Sequence, residues 1–257
     1  MRNARSLLLA FAMALAPSVF ASETIHIAAA ADLKFCMDEI IAAFKRSHPD
    51  VQVEVSYGSS GNFATQIRQG APFDLFFSAD IDYPRQLAND GFAASDVRLY
   101  ALGRIVLWSA SMDASRMTLA DLERPEIRKI AIANPQHAPY GRRAEEALRA
   151  SGMWEKVQAK LVLGENIAQT AQFVQSGNAQ VGIIALSLAL NPELAAKGGY
   201  YLVPDNLHKP LQQAYMISKH ASGNALAKTF ADYMQAPDTR AAMVHYGFAL
   251  PGETFAR

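Results

Sequence analysis

The chain alternates short apolar runs with stretches whose apolar positions recur at helical spacing. Residues 24–30 are small and β-branched, the signature of a short buried strand. They deliver Ala31-Asp32 to a stretch with apolar positions at Leu33, Phe35, Cys36, Ile40, Ile41 and Phe44, close to a 3.6-residue period, with Asp32 as its natural N-cap. A strand is predicted over 51–56. It runs into Tyr57-Gly58-Ser59-Ser60-Gly61-Asn62, which opens a helix carrying Phe63 and Ile67 and stopped at Gly70 and Pro72. Further strands are predicted at 74–77, 104–109, 129–133, 160–163 and 180–184, and late ones at 201–203 and 213–217. Helices are predicted at 84–89, 119–122, 142–150 and 167–175. Two terminal helices follow, over 225–234 and 239–246, with Gly247 as the stop.

Strands alternating with helices predict βαβ units and mostly parallel sheets covered on both faces, an α/β fold. The pattern runs through twice, before and after about residue 104, without any internal sequence repeat. Two lobes follow: residues 22–104 plus 213–257 form the first and 105–212 the second. Crossing segments fall near 103–106 and 210–214, and the terminal helices pack back on the first lobe.

Residues 1–21 stand apart. Arg2 and Arg5 precede an apolar run from Leu7 to Phe20, and Val19-Phe20-Ala21 is a small-x-small cleavage site, so a signal peptide cleaved after Ala21 is expected. The run is interrupted by Pro17 and is short for a membrane span; the mature protein is expected to be soluble and periplasmic. Removing Arg2 and Arg5 turns 24 basic against 24 acidic residues into 22 against 24, a formal net charge of −2. With no basic surplus, nucleic acid is not an expected partner. The single cysteine, Cys36, excludes an internal disulfide and reads as a small buried hydrophobe on the apolar helix face.

Ligands of open α/β sheets collect where strands end and helices begin. Four such turns have suitable ends: Ala30-Ala31-Asp32, Ser59-Ser60-Gly61, Pro139-Tyr140-Gly141 and Asn166-Ile167-Ala168, two in each lobe. Each offers unpaired backbone N–H groups and the positive end of a helix dipole, a setting for an anion. Taken alone, the Ser59-Ser60 turn reads first as an ordinary N-cap; the recurrence of the device in four turns is what favours a ligand. None carries Lys or Arg at its tip; Arg142 follows on the helix itself. Asp32 would repel an anion, so its backbone N–H is expected to face the ligand while its side chain caps the helix or turns to solvent. Plainer readings hold elsewhere. Tyr140 can be a surface turn aromatic, His137 makes a loop hydrogen bond, and Arg142-Arg143 with Glu145-Glu146 form a solvated helix face. A nucleophile elbow and a P-loop are both missing.

Several segments together resemble the periplasmic molybdate-binding proteins of ABC transporters. They are the strand leading into Ala31-Asp32-Leu33-Lys34, Gly58 to Gly61, Gln66-Ile67 with residues 70–80, residues 106–110, Asn134 to Gly141, and Gly182 to Leu186. The resemblance spans essentially the whole mature chain. It implies a two-lobed, type II periplasmic-binding-protein fold that closes on molybdate or tungstate. By position it implies ligand contacts at Ala31, Asp32, Ser60, Tyr140 and Ile167, with hydroxyls from Ser60 and Tyr140. A second tyrosine used in one branch of the family falls on Ala185 and is absent. The resemblance further implies a monomeric, non-enzymatic receptor with no cofactor beyond its oxyanion, handing that ion to a membrane permease. The alternatives are a receptor for another tetrahedral oxyanion such as sulfate, or an exported serine hydrolase using Ser60 and His137.

Overall fold

The computed structural model describes residues 24–252; the predicted signal peptide, residues 1–21, lies outside them. Two five-stranded sheets form the cores of two lobes. The first contains β1 (Thr24–Ala30), β2 (Gln52–Gly58), β3 (Leu75–Ser78), β4 (Arg98–Gly103) and β10 (Leu211–Ile217), in the order β2-β1-β3-β10-β4. The second contains β5 (Ile105–Trp108), β6 (Ile130–Ala133), β7 (Leu161–Gly164), β8 (Val181–Ala185) and β9 (Tyr200–Leu202), in the order β7-β6-β8-β5-β9.

The two orders are the same, and each sheet has one reversed strand in its fourth place. β10 runs antiparallel to β3 and β4, and β5 runs antiparallel to β8 and β9. The cause is the crossing between lobes. β4 leaves the first sheet at the edge where the parallel strands end, and only Arg104 separates it from β5. Entering the second sheet from its corresponding edge, β5 has to run against its neighbours. β9 returns the chain to β10 in the same way.

Helix α1 (Lys34–Ser47) follows β1 through a short 3-10 turn over Ala31–Leu33. Its buried face, Cys36, Met37, Ile40 and Phe44, packs on Ile25, Ile27 and Ala29 of β1. The terminal helices α9 (Ala225–Tyr233) and α10 (Pro237–His245) close the same layer, with Phe230 edge-on to Phe44 at 5.0 Å. Cys36 is buried, its Sγ 3.7 Å from Met243 Sδ, and burial holds its thiol well above the ordinary range. On the opposite face α2 (Ser60–Arg68) and α3 (Asp82–Asn89) cover Ala28 and Phe76 with Phe63 and Leu87.

In the second lobe α4 (Pro139–Ala150), α5 (Trp154–Val157), α6 (Ile167–Gln175), α7 (Leu186–Ala189) and α8 (Pro192–Ala195) follow in chain order. Strands β5, β6 and β8 are buried along their whole length, as sheets covered on both faces require. Arg143 departs from its sequence reading. It is buried, not solvated, because its face of α4 meets the first lobe and pairs with Asp80 there.

Candidate functional site

The starts of α2, α4 and α6 and the turn after β1 meet between the lobes. Ala30, Ala31 and Asp32 come from the β1 turn and Gly58, Ser59 and Ser60 from the start of α2. Ala79 follows β3, the start of α4 gives Ala138, Pro139 and Tyr140, and α6 gives Ile167. Ala31, Asp32, Ser60, Tyr140 and Ile167, the five positions expected from the sequence, all line this one cavity. The loops lie nearly in contact and the space they enclose is small, about 10 Å³.

The local sequence explains why donors face inward. The N-caps of α2 and α4, Ser59 and Ala138, make no side-chain cap hydrogen bond. The orphan N–H groups of those first turns are therefore not used up by capping. Pro139 sits at the first position of α4, where a missing N–H costs nothing and its fixed φ suits the helix. Tyr140 thus stands within the first turn of the helix, not in a loop ahead of it. α6 is capped by Asn166, whose side chain accepts from Gln169 N, leaving the N–H groups of Ile167 and Ala168. Ser60 is fully buried, and its Oγ accepts from Ala79 N at 3.0 Å, which leaves the hydroxyl proton to donate. Among the described residues no Lys or Arg lines the cavity.

Two side chains differ from expectation. Asp32 neither caps α1 nor faces solvent; it is 1 % exposed. Its Oδ2 accepts from Tyr140 Oη at 2.9 Å and from Gln213 Nε2 at 2.6 Å. Ser187 Oγ donates to its backbone carbonyl at 2.8 Å. The 3-10 turn is the reason: it swings residue 32 away from the helix N-terminus and into the gap between lobes. Burial pushes the Asp32 carboxyl up to about 7, against the opposing pull of the Gln213 and Tyr140 hydrogen bonds. Tyr140 is the second difference. Its hydroxyl is committed to Asp32 and accepts from Gln213 Nε2 at 3.0 Å, so its backbone N–H is what remains for the cavity. Burial, and then the Asp32 charge, keep that phenol far above its ordinary range.

Around this centre the lobes are tied by contacts that sequence reading missed. Gly61 N donates to His137 O at 2.9 Å, and His137 Nδ1 lies 2.9 Å from Ser59 Oγ. Asn62 Nδ2 donates to Glu165 Oε1 at 2.6 Å, and that oxygen is 3.6 Å from His137 Nε2. His137 therefore pairs with Ser59, and the Ser60–His137 couple that a hydrolase would use is not formed. Arg143 Nη2 meets Asp80 Oδ2 at 3.1 Å, with both residues buried. No spacing rule links these partners, which lie 63 to 103 positions apart. Gln213 carried no more signal than Gln212 beside it, although only Gln213 is buried.

Comparison with known proteins agrees with this architecture. Residues 25–249 match the family model described as bacterial extracellular solute-binding protein. The molybdate-binding protein ModA of Rhodobacter capsulatus is 37 % identical over 245 residues, 93 % of either chain. That of Azotobacter vinelandii is 34 % identical over 88 % of this chain and 90 % of its own. The solved structure of the Azotobacter vinelandii periplasmic molybdate-binding protein superposes with a TM-score of 0.82 at 32 % identity, covering 88 % of this chain and 99 % of that one. The chain belongs to the bacterial extracellular solute-binding protein family.

Proposed function

We propose that the protein is a periplasmic receptor that captures molybdate, and tungstate with it, between its two lobes and delivers it to the membrane permease of an ABC transporter. The observation that carries the reading is a cavity where turns and helix starts from two lobes converge, lined by backbone amides and hydroxyls and, among the described residues, by no cationic side chain. Relatives named for molybdate binding, alike over most of their length, support the choice of ion.

Neutral donors suit a dianion that must later be released. Helix N-termini and amides attract the charge without a full countercharge to hold it. Each donor needs a lone pair, so a ligand oxygen that carries a proton is disfavoured. The N–H groups of Ala31, Asp32, Ser60, Tyr140 and Ile167 and the Ser60 hydroxyl meet the oxygens of the ion, and none of them ligates its metal atom. Seating four oxygens parts the loops slightly, and contacts to both lobes at once then favour the closed form. The role is capture and hand-over without chemistry on the ion, by a receptor acting as a monomer after signal-peptide removal.

Titration calorimetry of the mature chain against molybdate, tungstate, sulfate and phosphate tests the reading. Tight binding of the first two and weak or absent binding of the others is expected. Preference for sulfate would transfer the site to the smaller ion, and binding of none of the four would end the oxyanion reading.

A further inference from the structure

Asp32 is the only carboxylate lining the cavity among the described residues, and it sits where a bound anion would repel a negative charge. Both of its side-chain partners, Tyr140 and Gln213, converge on Oδ2 and are neutral. Oδ1 is buried and has no hydrogen-bond partner among the described residues. An ionised carboxylate held this way forfeits its hydration for little in return, the pull of Asp32's own backbone N–H and of two neutral side chains falling short of the cost of burial. A protonated Oδ1 becomes a donor instead, and a buried donor needs an acceptor. The oxygens of the proposed ligand are acceptors beside it.

The surroundings add no positive charge to hold the ionised form. The titratable groups facing Asp32 are the Tyr140 phenol from α4, the Tyr100 phenol from β4 and the Cys36 thiol from α1. Burial raises all three, so each stays neutral. Lys34, two residues on, pairs with Asp38 and is 44 % exposed. β10 contributes the Gln213 amide and α7 the Ser187 hydroxyl, while α6 carries no titratable residue. Half of this cover belongs to the second lobe. Tyr140 and Ser187 leave when the lobes part, and water then reaches the carboxyl.

We infer that the anion is captured together with one proton: as the lobes close, Asp32 becomes the neutral acid and its Oδ1–H joins the loop amides as a donor to a ligand oxygen. This rests on the oxyanion reading above. The proton comes from bulk solvent, and no bond of the ligand is made or broken. A carboxyl near its ordinary value when hydrated and pushed up to about 7 when enclosed takes up its proton between those limits. A dianion alongside extends the window upward.

The test is titration calorimetry of the mature chain with sodium molybdate, from pH 6 to 8.5, in two non-phosphate buffers of different ionisation enthalpy. The wild type should take up close to one proton per ion at pH 6.5, with affinity falling by up to tenfold per pH unit as pH rises. Asp32→Asn should bind without proton uptake and with a flat pH profile. Molybdate binding by the wild type with no proton exchange across the range would overturn the proposal. So would uptake that persists in Asp32→Asn. Absence of any molybdate binding by a chain with an intact circular dichroism spectrum would instead overturn the oxyanion reading, and this proposal with it.

Discussion

Replacing Arg143 by Met removes one half of the buried ion pair that joins the lobes. Arg143 Nη2 lies 3.1 Å from Asp80 Oδ2, its Nη1 bonds Glu146 at 2.8 Å, and both members of the pair are less than a tenth exposed. Met fills similar volume without charge, so the packing of α4 survives while Asp80 keeps its charge. Asp80 Oδ1 still accepts from Asp82 N at 3.0 Å, and Oδ2 keeps only the more distant Arg142 Nη1 at 3.9 Å, which puts the loss toward the lower end of the range for a broken buried pair. Removing one partner of a buried pair costs about 3–5 kcal/mol. That cost falls on the closed form alone, because parting the lobes lets water reach Asp80. Molybdate affinity should therefore drop by roughly two to three and a half decades, while unfolding of the free protein changes far less. Calorimetry gives the affinity and urea titration the stability. Arg143→Met with Asp80→Asn in one chain should recover much of the loss, the coupling a double-mutant cycle reads. A single-mutant affinity within threefold of wild type would refute the reasoning and place the pair outside the closing equilibrium.

Other outcomes follow from the same geometry. Ser60→Ala should weaken molybdate binding by about 1–3 kcal/mol by leaving an acceptor and Ala79 N short of a partner; unchanged affinity removes the hydroxyl from the site. Gly61→Ala places a Cβ 2.7 Å from both His137 O and the Tyr83 hydroxyl; the side chain can give but the backbone carbonyl of the other lobe cannot, so closure is resisted by about 1–3 kcal/mol, read as weaker molybdate binding by calorimetry. For Asp32 the enclosed acid sits near 7 against an ordinary 3.8. Its neutral form is favoured on closing, so its contribution to the closed form turns unfavourable as pH rises from about 4 and levels off above about 7. At about 1.4 kcal/mol per decade that is roughly 4 kcal/mol, an upper figure that Asp32→Asn should relieve in molybdate affinity at pH 8 and less so at pH 6. Calorimetric affinities at the two pH values check it, and urea midpoints of the free protein should move far less. A panel of ester and phosphoester substrates should show no turnover, and activity lost on mutating Ser59 or Ser60 would contradict the receptor role.

Much of the architecture was legible because each element carries its own period. Helix α6 begins and ends where the pattern placed it, and the buried runs of β3, β6 and β8 were found to within a residue or two. β4 was missed, since Arg98–Gly103 mixes a charged end with small residues and lacks clean alternation. Strand direction was not legible either, as periodicity is the same read either way. The reversal of β5 and β10 comes from how the chain crosses between lobes. At the site, backbone positions could be read because turns and helix starts are local. The destinations of side chains could not. Asp32 looked like a helix cap, Arg143 like a solvated residue and Tyr140 like a turn aromatic. Each is instead decided by a partner in the other lobe or across the sheet. Pro139 was the overlooked local clue, since proline at a first helical position would have put Tyr140 inside α4.

The place of β10 between β3 and β4 also dictates the order of assembly. Until residues 211–217 exist, β4 has no neighbour linking it to β3, and the nascent first lobe is a three-stranded ribbon without the α9 and α10 layer over it. The second sheet has all five of its strands once Leu202 is made, whereas the first waits for β10 and then for α9 and α10. The half of the molecule begun first is thus the one finished last, and its core is sealed by the tail of the chain.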